Sequence, residues 1–429
     1  MAGDYVYAHP NLIGYNPTSA DYANAVWFDL HSANYNSEPP LTLVVGAQGS
    51  GKTFTLLNLT TLNALQGSCV VGIDWKGDLL PAAELSAITG FHTSRHKIEP
   101  PVEQFEDPNI TPEERDELRN RNTGILDPFV MFVNDEDPEQ TKTDITIAVN
   151  AICYALSPKE MEYINIKTAI AECVSDTYGF SAKEQRTMRT FLTRLMTLGH
   201  KRGDSQIQDY AGYLQHQLTD GAGKMLAAIP GHLPKEKFTV EPGITIIDLS
   251  TLPGLPKTAE DLKNPAMGVG QAIIAMLALY VQQTFTRMER NIRKTFVIDE
   301  AWAIIGNPIG GTLIDMFTRL GRSMNVAVLL GSQSFTDLFN DRTNFNSASV
   351  STYMAFKNST KDAIVGLQGM GIEEEEQKDL ASIFPQLRKG CCLMQDHRRR
   401  RGLVQHWVWD NRLKKLYNSN PNITPNQNN

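Results

Sequence analysis

None of the five cysteines (Cys69, Cys153, Cys173, Cys391, Cys392) forms a C-x-x-C pair, and five is an odd number. That argues against a zinc site and a disulfide framework and predicts reduced thiols, as in a cytosolic protein. Basic residues are not in excess. The net charge is −8, so any nucleic-acid surface must be local. No apolar run reaches bilayer length either: the most apolar stretch, Ala272 to Val281, lies between Gln271 and Gln282 and fits a buried core helix. The N-terminus, MAGDYVYAHPNLIGY, has neither a charged n-region nor an apolar h-region, so no signal peptide is expected. No internal repeat at a fixed period is present.

What remains is a chain of 429 residues, 41% hydrophobic and 21% charged, values of an ordinary globular protein with room for two or three units of structure. Its organising stretch is Leu41 to Thr55, LTLVVGAQGSGKTFT. An apolar strand runs into Gly46-Ala47-Gln48-Gly49-Ser50-Gly51-Lys52-Thr53, which fits the phosphate-loop pattern G-x-x-x-x-G-K-[ST]. Successive backbone N–H groups must curl around a polyphosphate, and glycines at 46, 49 and 51 permit those dihedrals. Lys52 supplies a point charge for the β- and γ-phosphates, and Thr53 a hydroxyl for Mg²⁺. The helix starting there aims its positive end at the phosphates. With Gly at about 7% of residues, a chance match in a chain this long has a probability of roughly 2%. The candidate nucleotide-binding residues are Gly46, Gln48, Gly49, Ser50, Gly51, Lys52, Thr53 and Phe54, for ATP with Mg²⁺.

Downstream, strand-like and helical runs alternate, which predicts an α/β fold with a mostly parallel sheet. Cys69 to Asp74 reads as a buried strand ending in the polar cluster Asp74-Trp75-Lys76-Gly77-Asp78, either a ligand edge or an ordinary turn. Thr111-Pro112-Glu113-Glu114 has the form of a capping box. Helix follows helix from about 141 to 228, and Phe238 to Leu249 has the look of a hairpin with a buried second half. The division this implies is an N-terminal β segment (1–40), a first core part (41–140), an inserted all-α subdomain (141–236), a second core part (237–412) and a polar tail (413–429).

Hydrolysis needs a carboxylate for the metal and a group for the attacking water. Thr295-Phe296-Val297-Ile298-Asp299-Glu300 ends an apolar strand in two adjacent acids, expected to lie on a strand neighbouring the phosphate loop. Asp299 is assigned to Mg²⁺ together with Thr53, and Glu300 to the water. Gln333 ends another buried strand, where its amide could contact a γ-phosphate or simply occupy a surface turn. Arg319 and Arg322 are three apart on one helix face and serve either as a solvated basic face or, in a ring, as a finger reaching a neighbour's nucleotide. The run Arg398 to Arg401 reads as a hairpin tip.

In this order the phosphate loop, Ile73-Asp74-Trp75-Lys76-Gly77-Asp78, a helical insertion, Val297-Ile298-Asp299-Glu300-Ala301-Trp302 and a strand ending Ser332-Gln333 resemble the FtsK–HerA superfamily of P-loop motors. Trp302 directly after Asp-Glu-Ala, and Gly124-Ile125-Leu126-Asp127-Pro128-Phe129 ahead of the insertion, resemble the TraC/TraE-type ATPase of conjugative type IV secretion, the fourth VirB component. The resemblance runs from about Ile13 to Trp409. It implies a RecA-like fold and Mg-ATP hydrolysis in a homohexameric ring. Catalysis would fall to Lys52, Glu300 and Gln333, with Arg319 or Arg322 in trans. It also implies a cytoplasmic protein, peripheral at the inner face of the membrane and docked on membrane-embedded secretion components. A DNA translocase or coupling protein of the same superfamily, with DNA as partner, is the alternative, and an ATP-gated scaffold without turnover a third reading. Members of that branch carry a sizeable domain ahead of the ATPase, whereas 45 residues precede Gly46 here, so a C-terminal ATPase piece or a shortened relative is expected.

Overall fold

Long apolar runs without alternation are the mark of strands buried on both faces, and the sheet bears this out. The computed structural model describes residues 10–18, 24–98, 111–114, 124–134, 136–157, 159–219, 221–227, 239–252, 268–305, 308–340 and 345–418. Among them are the strands β1 (Asn11–Tyr15), β2 (Ala25–Phe28), β3 (Leu41–Val45), β4 (Cys69–Asp74), β5 (Thr93–Lys97), β6 (Ile244–Asp248), β7 (Lys294–Ile298), β8 (Val326–Ser332), β9 (Thr352–Phe356), β10 (Cys391–Gln395) and β11 (Arg401–His406). They form one sheet in the order β2-β1-β11-β10-β9-β3-β8-β7-β4-β6-β5. The strands from β9 through β5 in that order run parallel, and β10, β11, β1 and β2 continue the sheet antiparallel.

Among the described residues the helices of ten residues or more are α1 (Lys52–Leu65), α2 (Pro138–Leu156), α3 (Ile164–Phe180), α4 (Met188–Arg202), α5 (Ser205–Thr219), α6 (Gly268–Arg287), α7 (Pro308–Met324), α8 (Thr360–Gly369) and α9 (Glu374–Ile383). The period-2 geometry of a strand sends alternate side chains to two helical layers. Leu41, Leu43 and Val45 of β3 face the layer holding α2 to α9, whereas Val44 faces α1. On β8, Val326, Val328 and Leu330 take the first side and Ala327 and Leu329 the second. Each such buried side chain contributes about 1.5–3 kcal/mol, so the strand ends that carry the polar groups are held by core packing. α1 starts after Gly51, at φ +109°, and stops before Gly67, at φ +81°, both left-handed values that favour glycine. It is buried on nearly every side, and two of its polar side chains bond back to the helix's own carbonyls: Asn63 Nδ2 donates to that of Leu59 at 2.8 Å and Thr61 Oγ1 to that of Leu57 at 2.8 Å.

The capping box forms as expected: Glu114 N–H donates to Thr111 Oγ1 at 3.2 Å, and Thr111 N–H to Glu114 Oε2 at 3.0 Å. Asp127 does more. It caps the short helix Pro128–Met131 through Phe129 N–H at 2.8 Å, and its other oxygen accepts from Met188 N–H, at the start of α4, at 2.8 Å. One buried carboxylate thus fastens the helices 138–219 to the segment before them.

Two expectations fail. Phe238 lies outside the described residues, and Ile244 to Asp248 is no hairpin arm: β6 pairs in parallel with β4 and β5. Gly243, at φ +115°, turns the chain into β6, close enough that a Cβ there would lie 2.3 Å from the His92 carbonyl oxygen. The second failure concerns strand order. β7 does not adjoin β3, because β8 lies between them.

Candidate active site

In a parallel sheet the C-terminal strand ends gather on one edge, where loops can converge on a ligand. That edge carries Gly46 after β3, Asp74 at the end of β4, Asp299 after β7 and Gln333 after β8. The register sets Ile298 opposite Leu330 and Val44 opposite Gly331, so Asp299, Gly331 and Val44 stand side by side. The intervening strand yields at its glycine. A Cβ at Gly331 would sit 2.5 Å from Asp299 Oδ1 and 2.7 Å from Leu56 Cδ1, so the Asp299 carboxylate crosses over β8 to reach the phosphate loop.

It arrives against Lys52. Lys52 Nζ donates to Asp299 Oδ1 and lies 3.8 Å from Glu300 Oε1, while Thr53 Oγ1 donates to Asp299 Oδ2 at 3.0 Å. Residues 247 positions apart thus meet in one cluster. Burial alone would depress the Lys52 ammonium, but Asp299 and Glu300 outweigh it and raise the pKa. Glu300 is buried, with φ +77°, a left-handed backbone that costs a non-glycine residue about 1 kcal/mol or more. Its carboxylate is held from three further sides: Lys76 Nζ at 3.1 Å and Gln333 Nε2 at 2.8 Å on Oε1, and the Trp302 indole N–H on Oε2. Burial pushes Glu300 up, yet Lys52, Gln333, Lys76 and Trp302 together bring it below the ordinary carboxylate value.

The loop carrying Lys76 is itself anchored. Asp74 accepts backbone N–H bonds from Lys76 (3.1 Å), Gly77 (2.8 Å), Asp78 (3.2 Å) and Leu79 (2.8 Å). Burial drives Asp74 up to about 6 against those amides, and burial together with the charge on Asp299 raises Asp78. The polar cluster after β4 is therefore part of the site. The phosphate loop is braced as well: Gly46 N–H donates to the Ser332 carbonyl at 3.1 Å, and Ala47 N–H to that of Lys357 at 3.0 Å. Gly49 has φ +77°. A Cβ at Gly46 would lie 2.5 Å from Ser50 Oγ. Above the loop opens a cavity of about 870 Å³, lined by Gln48, Gly49, Gly51, Lys52, Thr53, Phe54, Lys76, Glu300 and Gln333, with Tyr417 and Asn418 at its margin. That volume suits a nucleotide-sized ligand.

Arg319 is placed elsewhere. It lines a cavity with Pro39, which precedes β3, and Ser349, which precedes β9. It therefore stands toward the ends at which β3 and β9 begin, whereas Lys52 stands beyond the end of β3, with that strand's length of about 17 Å between the two ends. Arg322 follows on α7, its side chain outside the described residues. The arginine run is the β10–β11 tip, and its members are engaged: Arg400 Nε donates to buried Asp396 at 2.8 Å, Arg399 to the Met370 carbonyl at 3.0 Å and Arg401 to Gln395 at 2.7 Å. In the sequence Trp302 serves only as a mark of resemblance and Gly331 has no role. A glycine inside an apolar strand is a legible sign of close approach, and Gly331 carries it.

A phosphate loop on β3, an acid pair after β7 and the order β3-β8-β7-β4 define a P-loop nucleotide-binding α/β protein of RecA-like fold. Residues 26–416 match the AAA-like domain family, and the chain belongs to it. It is 24% identical over 283 residues to the uncharacterized protein YddE of Bacillus subtilis (strain 168), covering 66% of this chain and 31% of that protein. The chain thus spans about a third of the length of that relative. Among solved structures it resembles VirB4 of Thermoanaerobacter pseudethanolicus at a TM-score of 0.70, with 12% identity over 95% of this chain and 99% of that one. The plasmid coupling protein TrwB, in complex with the ATP analogue ADPNP, matches at a TM-score of 0.53 and 17% identity, over 88% of this chain and 87% of that one. Its complex with ADP and Mg²⁺ matches at 0.51 and 16%, with the same coverage.

Proposed function

We propose that this chain is an ATPase that powers conjugative type IV secretion, hydrolysing Mg-ATP in an oligomeric ring at the cytoplasmic face of a membrane-embedded apparatus. The convergence of Lys52, Thr53, Asp299, Glu300 and Gln333 in one bonded cluster carries the reading, and the likeness to VirB4 over nearly the whole chain supports the cellular role. The nucleotide and Mg²⁺ in the TrwB complexes support the choice of ligands.

The donor set fits a hard divalent cation: a hydroxyl, Thr53 Oγ1, and a carboxylate, Asp299, already 3.0 Å apart. Mg²⁺ bound there would neutralise charge developing on the polyphosphate. The loop amides and Lys52 hold the phosphates, and Lys52 exchanges its carboxylate partners for phosphate oxygens. Glu300, ionised by its cationic neighbours, accepts the proton of the attacking water. Gln333, hydrogen-bonded to Glu300, couples that carboxylate to the end of β8. Arg319 or Arg322 stabilises transition-state charge from a neighbouring subunit.

Lys52→Ala is expected to lose nucleotide affinity. Glu300→Gln should retain ATP and stop turnover, and a Glu300→Gln chain that hydrolyses ATP like the wild type would refute the base assignment. The likeness to TrwB favours a second reading, a DNA-pumping coupling protein. ATPase rates measured with and without DNA at two salt concentrations separate the two, since DNA-stimulated turnover that falls with salt belongs to the pump alone.

A further inference from the structure

Among the described residues three lysines line the nucleotide cavity, and two are already engaged. Lys52 pairs with Asp299 and Glu300, and Lys76 with Glu300 at 3.1 Å. The third is Lys389. Its side chain is exposed, and no described carboxylate stands within ion-pair distance of it. Its backbone is nonetheless fixed against the outside of the phosphate loop. Gly390 N–H donates to the Ser50 carbonyl at 2.7 Å, and a Cβ at Gly51 would meet Gly390 Cα at 2.9 Å. From the other side, Gln405 Nε2 donates to the Lys389 carbonyl at 3.2 Å and His406 N–H to that of Gly390 at 2.8 Å. An unpaired ammonium on a flexible stem is thus mounted on a rigid rest beside Ser50 and Gly51. It stands on the ridge between the nucleotide cavity and a second one of about 540 Å³, which Arg388 lines with it.

A triphosphate carries more negative charge than Lys52 and one divalent ion neutralise. We infer that Lys389 is a second polyphosphate-binding lysine, reaching the phosphate oxygens of the nucleotide held by loop 46–53 of its own chain. This rests on the cavity being the ATP site. Lys389 is contributed by the segment ahead of β10, outside the phosphate loop and the acid pair. Phosphate binding would therefore join β10 to β3 by charge as well as by hydrogen bonds.

The test is competition of ATP, ADP and adenosine against a ribose-labelled fluorescent ATP on the full chain. Lys389→Ala is expected to weaken ATP and ADP about tenfold and to leave adenosine unchanged. The loss should shrink as salt is added, because the lysine is exposed. Arg388→Ala, one residue away, should bind ATP within about twofold of wild type, and Lys389→Arg should recover most of the affinity. If Lys389→Ala binds ATP as wild type does, or loses adenosine as much as ATP, the inference is overturned. The two levels separate cleanly: a wild-type chain that binds no ATP sinks the nucleotide reading itself, whereas normal wild-type binding with an indifferent Lys389→Ala sinks only the second lysine.

Discussion

Gly331 shows how much one missing methyl can decide. The Asp299 carboxylate occupies the space a side chain at 331 would claim, with Leu56 of α1 closing it from the other face. Gly331→Ala must displace either the acid or the helix. Overpacking of this kind costs about 1–3 kcal/mol, and here it also moves Asp299 away from Thr53. The expected outcome is a lower urea midpoint together with weakened Mg²⁺-dependent nucleotide binding, read by titrating Mg²⁺ at fixed ATP. Glu300 is a second case. Its left-handed backbone is held by bonds from Lys76, Gln333 and Trp302, so strain and electrostatics are stored at the residue proposed to handle the proton. The sequence displayed the pieces of this site unevenly. Gly49, Gly51 and Lys52 were readable because their geometry is local, and Asp299-Glu300 because an apolar strand ends there. That Gly331 makes way for Asp299 depends on three strands lying side by side, which no local pattern records.

At the scale of elements, legibility followed burial. β3, β4, β7 and β8 announce themselves as apolar runs, since both of their faces are covered. β5, Thr-Ser-Arg-His-Lys, lies at the sheet edge and reads as loop, the polarity expected of an edge strand. α9 opens with Glu374, Glu375 and Glu376 and buries little beyond Gln377 and Ala381, too narrow an apolar stripe to register as a helical period. The segment Gly124 to Phe129 was noticed only as a family mark, and its physical content is Asp127, buried and accepting from Phe129 and Met188. Asp127→Ala removes two caps at once and leaves buried amides unpaired, a loss of about 2 kcal/mol or more. Chemical unfolding should show the midpoint falling, whereas Glu114→Ala, on an exposed capping box, should barely move it.

At the scale of the molecule, the antiparallel strands form a wing of the sheet whose segment ahead of β10 packs against the phosphate loop through Gly390. Its buried His406 lies between Cys392 and Phe356. Burial pushes that imidazole down to about 3. The unfolded chain protonates below about 6.5, and the folded one refuses the proton. The contribution is therefore whole above pH 6.5 and lost as the pH falls toward 3, at about 1.4 kcal/mol per unit. His406→Gln is expected to flatten this limb, so its urea midpoints at pH 7 and pH 5 should differ less than those of the wild type. Among the described residues one helix, α6, is long and apolar enough to cross a membrane, and it lies mostly buried in the core.

The opposed positions of Lys52 and Arg319 have a geometric corollary. A chain whose phosphate loop opens at one end of its strands, and whose arginine stands at the other, can lend that arginine to a copy stacked end to end upon it while its own cavity is served by a third. If Arg319 acts in trans between copies stacked in one orientation, each gives to one companion and receives from a different one, a directional series that closes on itself or grows into a filament. Complementation makes this visible: a Lys52→Ala chain and an Arg319→Ala chain, each inert alone, should regain ATPase activity when mixed, because some contacts then pair an intact cavity with an intact arginine.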